Sequence, residues 1–356
     1  MRVLFDHDVF VGQKTGGVSR YFSELARRMP AYGVEVVVFA GIHNNTHLRG
    51  LNGIIGARVP TLRGISRLRQ KSASVAQRLY LSLARIDIVH KTFYDPAPVG
   101  RARKLVVTIY DMIPELFPEH FDQTASERKR SLCRDADLVI CISDNTRRDA
   151  LRLYGLPEAK VRTIPLGTSL AQFCGTDPLR RTRPFLLWVG GRHGYKNFAG
   201  FLKAFAGTER ARRVFDVVCF GGGSFQASER RELEFLGLER QFFNMFGDDA
   251  LLAACYRGAR VLVYLSLYEG FGLPILEAMA TGCPVITSSV SSLPEVGGSA
   301  AIYVDPRDVD AIRTVLERSL FHDDLLSQKR LEGVTRAKKF SWDLTAQRTA
   351  AAYAEL

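Results

Sequence analysis

Short apolar runs alternate along the chain with stretches of helical period. Arg2 to Phe5 is followed by Gly16-Gly17, then an amphipathic run through Tyr21-Phe22, Leu25 and Met29, then Val34 to Phe39. Strand, glycine loop, helix and strand in that order make a βαβ unit of a parallel sheet. Runs at Ile86 to Val89, Leu105 to Ile109 and Leu138 to Ile142 are spaced as further strands of the same doubly wound sheet. Around Ile164-Pro165-Leu166-Gly167 the pattern breaks into a polar stretch with Pro, Gly and Thr that ends near Pro184 and reads as a linker. A second series follows at Phe185 to Val189, Asp216 to Phe220, Arg260 to Leu265, Pro284 to Thr287 and Ala301 to Val304. The pattern predicts two Rossmann-like, doubly wound α/β domains, residues 1–170 and 171–340, and a helix over 341–356.

Composition fits that picture. At 356 residues, 46% hydrophobic and 24% charged, each domain can bury its own core, which excludes a disordered tail, a disulfide scaffold and a collagen-like chain. Cys133, Cys141, Cys174, Cys219, Cys255 and Cys283 are scattered without a C-x-x-C pair, as expected of reduced thiols in a cytoplasmic protein. No run approaches the ~18 apolar residues of a membrane span. Met1-Arg2-Val3-Leu4-Phe5-Asp6 meets an acid too early for a secretory signal.

Charge adds one feature. Lys and Arg number 49 against 37 Asp and Glu, a net charge of +12, which points to an anionic partner. No helix-turn-helix, zinc-finger or RNA-binding signature is present, so nucleic acid is not the expected partner. From Val36 through Ile86 there is no Asp or Glu, while Arg49, Arg58, Arg63, Arg67, Arg69, Lys71, Arg78 and Arg85 fall inside. At ~100° per residue Arg63, Arg67, Lys71, Arg78 and Arg85 share one arc of a helix, with Ile65, Leu68, Val75, Leu79 and Leu83 broadly opposite. Two readings stand: segment 49–85 holds the protein peripherally on the anionic inner face of the cell membrane, or it is a solvated face above the first domain's core. Gly64 argues against one continuous helix.

The most informative string runs from Tyr268 to Pro284, Y-E-G-F-G-L-P-I-L-E-A-M-A-T-G-C-P. It reads as strand end, glycine loop, helix and stop, with Pro274 at the first helical position and Gly282 after the last turn. The amides around Gly270, Phe271, Gly272 and Leu273 then form a helix N-terminus at the carboxyl end of a parallel strand, suited to phosphate oxygens and sugar hydroxyls. Glu269 and Glu277 flank it as acceptors for vicinal hydroxyls. A second string, Trp188-Val189-Gly190-Gly191-Arg192-His193-Gly194-Tyr195-Lys196-Asn197, opens a strand into glycines and delivers two cations ahead of a helix, where they could bind a pyrophosphate.

These strings resemble glycosyltransferase family 4, retaining sugar-nucleotide enzymes of the GT-B fold, in which two Rossmann-like domains face a cleft. The spacing of Glu269 and Glu277, with Phe-Gly-Leu-Pro between them, is the family's. The resemblance implies that Glu269 contacts the donor sugar near the reacting carbon and that Glu277 holds the ribose hydroxyls. It gives Arg192 and Lys196 the leaving pyrophosphate. Gly16-Gly17-Val18-Ser19-Arg20-Tyr21 is similar to the family's N-terminal glycine loop. Where many members carry a His before Asp111, this chain has Tyr110, which can donate a hydrogen bond but cannot become a cation near neutral pH. Asp144 and Asn145 resemble another cleft-edge turn. Asp6-His7-Asp8 could pass for a D-x-D metal motif, but it lies at the end of the first strand, and no metal is expected. Further echoes run through Phe246-Gly247-Asp248-Asp249, Ser291-Ser292-Leu293-Pro294-Glu295-Val296 and Tyr303-Val304-Asp305-Pro306, and Phe340-Ser341-Trp342 resembles the start of a terminal helix that crosses back onto the first domain.

The resemblance implies transfer of a hexose with retention, without metal or cofactor, from a nucleoside-diphosphate sugar bound on the second domain. Similarity to bacterial mannosyl- and rhamnosyltransferases favours a GDP-linked donor, and the basic block favours a lipid-linked acceptor such as a polyprenyl pyrophosphate carrying a growing O-antigen or other cell-surface glycan. The alternatives are a GT-B sugar-nucleotide epimerase and a nucleic-acid-binding protein.

Overall fold

The computed structural model describes residues 1–60, 66–94, 100, 102–173 and 175–356, with the backbone alone at 66 and 67. The chain forms two compact units, Met1–Leu166 with Trp342–Leu356, and Gly167–Ser341. In the first, β1 (Arg2–Phe5), β2 (Glu35–His43), β3 (Ile54–Arg58), β4 (Ile88–Lys91), β5 (Lys104–Ile109), β6 (Leu138–Cys141) and β7 (Val161–Thr163) form a sheet in the order β3-β2-β1-β4-β5-β6-β7. In the second, β8 (Phe185–Val189), β9 (Asp216–Phe220), β10 (Phe242–Met245), β11 (Leu262–Tyr264), β12 (Val285–Ser288) and β13 (Ala301–Val304) take the order β10-β9-β8-β11-β12-β13. The strand pairs are parallel, with Leu4 opposite Val37 and Val89, and Leu187 opposite Val218 and Leu262. Both units are thus Rossmann-like parallel α/β folds.

Central strands are apolar on both faces because helices cover both sides. Leu4, Val106, Val139, Leu186 and Val263 are wholly buried. The helix Gly17–Arg28 turns Tyr21, Phe22, Leu25 and Ala26 into the first core. Trp342, Ala346, Ala350 and Tyr353 of the helix Trp342–Ala354 join that same core, and the Tyr353 hydroxyl lies 2.6 Å from Nδ1 of buried His90. The second core is aromatic, with Trp188 stacked on Phe201 at 5.5 Å and Phe198 and Phe242 around them.

The basic block differs from expectation in one respect. The helix Ser66–Leu83 buries Arg69, Ala73, Gln77 and Leu81, while Leu68, Val75, Leu79 and Leu83 face outward. Polar anchors select this orientation: Gln77 Oε1 accepts from the His7 backbone at 3.0 Å, and Ser74 Oγ lies 3.0 Å from His7 Nε2. Arg69 is no surface cation, since it is buried and its guanidinium donates to the Pro60 carbonyl at 2.8 Å. Arg63, Ile65, the Arg67 side chain, Gly64 and Cys174 lie outside the described residues. The other five cysteines are buried free thiols.

Candidate active site

In the second sheet the chain reverses direction between β8 and β11, and parallel sheets bind ligands beyond the carboxyl ends of their strands at such a switch point. The loops leaving β8 and β11 meet there. Leu267 donates its backbone N–H to the Tyr195 carbonyl at 2.7 Å, and Lys196 Nζ reaches Glu269 Oε1 at 2.7 Å and the Tyr264 hydroxyl at 3.2 Å. The Lys196 and Glu269 side chains are 18% and 10% exposed, so the pair is mostly desolvated yet open at one side. Burial alone would depress the Lys196 ammonium; Tyr264 and Glu269 outweigh it and hold the group charged well above its usual range. Burial first, then Glu269, pushes the Tyr264 hydroxyl up, so it stays a protonated donor or acceptor.

The Glu269 backbone is fixed from a third loop. Its N–H donates to Ser291 Oγ at 3.0 Å, and the Ser292 hydroxyl donates to its carbonyl at 2.8 Å. Ser291 holds φ at +55°, a conformation unusual for a side chain that this clamp stabilises. After Glu269 the chain turns through Gly272 at φ +101°, where an added Cβ would lie 2.8 Å from Leu293 Cδ2, and enters the helix Leu273–Ala280. Pro274 is therefore the second helical residue, one later than predicted, and still at a position whose N–H has no intrahelical partner. The turn at Gly282 matches expectation, with its N–H on the Met279 carbonyl at 3.1 Å. Phe271 is buried against Phe340 at 5.9 Å, so it offers its backbone and not its ring. Glu277 is buried on the same helix and accepts from the Tyr256 hydroxyl at 3.1 Å. Burial, then Glu277, raises Tyr256 far above the range where it could ionise.

Arg192 occupies a different setting from that expected of a cation facing a pyrophosphate. Its side chain is 1% exposed. Nε donates to Glu229 Oε1 at 2.9 Å, Nη1 to the Gly221 carbonyl at 3.1 Å, and Nη2 to the carbonyls of Gly223 and Ser224 at 2.9 and 3.1 Å. Glu229 in turn caps its own helix through the Gln226 N–H at 2.6 Å. The guanidinium therefore pins the glycine loop after β9 against the Gly190-Gly191 turn after β8. Gly222 has no alternative in that loop, because a Cβ there would meet the Gly190 carbonyl at 2.5 Å.

In the first unit, the corresponding switch point between β1 and β4 holds a buried polar cluster. Asp6 Oδ2 pairs with Lys91 Nζ at 3.0 Å, both wholly buried, and Asp6 Oδ1 accepts from the Thr92 N–H at 2.8 Å and its hydroxyl at 2.6 Å. Burial opposes the Asp6 charge, and Lys91 with Thr92 outweighs it, holding the carboxyl below its usual range. This carboxylate is committed to protein partners, and among the described residues no three His, Cys, Asp or Glu side chains form a group that could hold a metal ion. Gly16 sits at the cap of the helix Gly17–Arg28, its carbonyl accepting from the Ser19 hydroxyl at 3.1 Å. The Tyr110 hydroxyl is turned inward and donates to the Thr92 carbonyl at 3.1 Å. Asp111 Oδ1 accepts from the Ile113 N–H at 3.0 Å. Asp144 opens the helix Asp144–Tyr154, and Asn145 donates to Asp149 at 3.1 Å. A cavity of 320 Å³ lined by Asp8, Gln70, Phe93, Tyr94, Ala125 and Arg128 opens at the same end of the sheet.

Two family models match in tandem, "Glycosyltransferase Family 4" over residues 15–172 and "Glycosyl transferases group 1" over residues 177–337. The chain is also 31% identical over 283 residues to O-antigen chain mannosyltransferase B of Escherichia coli, spanning 73% of this chain and 72% of that one. This chain belongs to glycosyltransferase family 4. The glycosyltransferase is 30% identical over 264 residues to serotype-specific mannosyltransferase WbdA of E. coli, covering 68% of its own length and 32% of that protein's. Its fold matches Anabaena Alr3699/HepE, solved in complex with UDP and glucose, at a TM-score of 0.76 and 18% identity with complete coverage of both chains. No helix among the described residues of this glycosyltransferase is long and apolar enough to cross a membrane.

Sequence reading brought Lys196 and Glu269 forward from separate strings, and the fold joins them; Arg192 and Tyr110 it turns inward. It missed Tyr256, Tyr264 and Glu229, which carry no motif and act through partners on other elements. Ser291 and Ser292 stood in a family-like string with no role attached, and their grip on Glu269 supplies one.

Proposed function

We propose that this glycosyltransferase moves a hexose, with retention and without a metal, from a nucleoside-diphosphate sugar to a hydroxyl of a cell-surface glycan acceptor. The observation that carries the reading is the Lys196–Glu269 pair at the β8/β11 switch point, beside the N-terminus of the helix Leu273–Ala280. Lys196 and the amides of Gly270 to Leu273 supply positive charge to the leaving pyrophosphate, the task a metal ion would otherwise perform. Glu269, released from Lys196 by the incoming phosphate, accepts from a donor-sugar hydroxyl near the reacting carbon. Glu277, aligned by Tyr256, accepts from the ribose hydroxyls. Arg192 acts at one remove, by fixing the glycine loops around the phosphate.

The donor is GDP-mannose or a related GDP-sugar, a choice supported by the mannosyltransferase relatives. The acceptor hydroxyl enters on the first unit, where the cavity bordered by Asp8, Phe93, Tyr94 and Arg128 offers aromatic faces and charged acceptors and donors suited to a sugar. A lipid-linked glycan held at an anionic membrane surface through segment 49–85 fits the one-signed charge of that block. The test is transfer from GDP-mannose, UDP-glucose and a dTDP-sugar to a mannose-terminated lipid-linked oligosaccharide in chelator. Transfer from the GDP donor alone, lost in Glu269→Gln, supports the reading. Turnover that needs added metal, or an epimerised sugar nucleotide without transfer, overturns it.

A further inference from the structure

The helix Ser66–Leu83 carries an amphipathic pattern whose strip of large apolar residues is exposed among the described residues. Leu68, Val75, Leu79 and Leu83 are 68, 70, 64 and 79% exposed. At ~100° per residue they fall within an arc of ~80°, and at 1.5 Å per residue the strip from Leu68 to Leu83 is ~22 Å long. Lys71 and Arg78 border that arc on one side, both exposed, and exposed Arg85 follows the helix. The opposite face is satisfied by Ala73, Gln77 and Leu81 against the sheet, so the outward strip is not a core face left over by misplacement. Isolated exposed leucines are ordinary; four large apolar groups in line on one helix are an interaction face.

We propose that this helix lies in the plane of an anionic bilayer, with Leu68, Val75, Leu79 and Leu83 inserted among the acyl chains and Lys71, Arg78 and Arg85 at the lipid phosphates. Charge chooses the occupant. The block from Val36 through Ile86 contains no acid, so a second copy of this chain would set cations against cations, whereas an anionic headgroup layer complements them. The proposal deepens the reading of segment 49–85 given above by replacing adsorption through charge with insertion through a defined strip. The same helix borders the proposed acceptor cavity with Gln70, so docking would bring a lipid-linked acceptor beside the residues that receive it.

The test uses the full chain without nucleotide or acceptor, so its outcome is separate from that of the transfer assay. Flotation with vesicles of equal parts phosphatidylglycerol and phosphatidylcholine is compared with phosphatidylcholine alone, for wild type, Leu79→Gln/Leu83→Gln and Lys71→Gln/Arg78→Gln. The wild type should float with anionic vesicles, and each variant should lose at least about tenfold in partitioning. Raised salt should weaken wild-type binding without abolishing it, because the apolar term is not screened. The leucine variant should keep the wild-type unfolding midpoint and its turnover on a soluble acceptor. The proposal fails if the wild type does not float, if the leucine variant floats equally well, if its unfolding midpoint falls, or if sedimentation shows a dimer that the leucine variant dissolves.

Discussion

Arg192 offers the sharpest test of how the glycine loops after β8 and β9 are built. Replacement by Met keeps much of the side-chain volume and deletes the guanidinium, leaving the carbonyls of Gly221, Gly223 and Ser224 and the Glu229 carboxylate without their donor. Breaking a fully buried ion pair on one side costs about 3–5 kcal/mol. Glu229 is 15% exposed and recovers part of that from water, while the loop carbonyls from Gly221 to Ser224 add a loss of their own, so about 3–4 kcal/mol is the expected total. For a unit of this size that is roughly 6–16 °C in melting temperature. The assay is thermal unfolding of wild type, Arg192→Met, Glu229→Gln and the double variant. The double variant should lose far less than the sum of the singles, because the second substitution removes a partner already orphaned. Arg192→Lys should fall between, since an ammonium cannot serve the fork of acceptors. If Arg192→Met melts like the wild type while transfer disappears, the guanidinium is a free phosphate clamp and the pinning argument is wrong.

Three further outcomes follow from the geometry. Lys196→Met should lower turnover about 10²–10³-fold, the usual effect of removing one donor to developing charge, with a smaller change in KM; an unchanged kcat would remove Lys196 from the reaction. His90 is pushed down to about 3 by burial, partly offset by Asp6, against 6.5 in the unfolded chain, so the unfolded state binds the extra proton between those values. Stability should therefore be complete above about pH 6.5 and fall as pH drops toward 3, by at most about 5 kcal/mol at ~1.4 kcal/mol per unit, and a His90→Gln variant with an equally steep acid slope would refute this. Gly272→Ala should destabilise by roughly 1–3 kcal/mol and weaken nucleotide binding, through positive φ and the clash with Leu293; a neutral urea midpoint would show that the turn relaxes freely.

The central strands were legible because burial on both faces makes a continuous apolar run, and β1, β8 and β9 begin and end where the pattern placed them. The three strands that escaped notice, β3, β7 and β10, are all edges, half exposed or only three or four residues long, so no such run marks them. Periodicity gave the helix after Ile65 two arcs but could not say which faces the core. That was decided by His7 and Asp8, polar groups 62–70 residues earlier in the chain that hydrogen-bond Gln77, Ser74 and Gln70. The same holds at the site. Arg192 was readable as a cation near a glycine turn, whereas its true partners, Glu229 and the carbonyls after β9, lie 29–37 residues away and become neighbours only when β8 and β9 pair.

The proposed chemistry requires a nucleotide to occupy the second unit at the Leu273–Ala280 helix. The most direct measurement is thermal stabilisation by GDP, UDP, ADP and dTDP in chelator, for the wild type and for Glu277→Gln, which retains an acceptor for Tyr256. A ligand at ~100 times its dissociation constant adds about 2.7 kcal/mol, a readable shift. GDP should raise the wild-type midpoint, and Glu277→Gln, equally folded, should lose most of the response. No stabilisation by any of the four, or an undiminished response in the variant, would contradict the proposed chemistry.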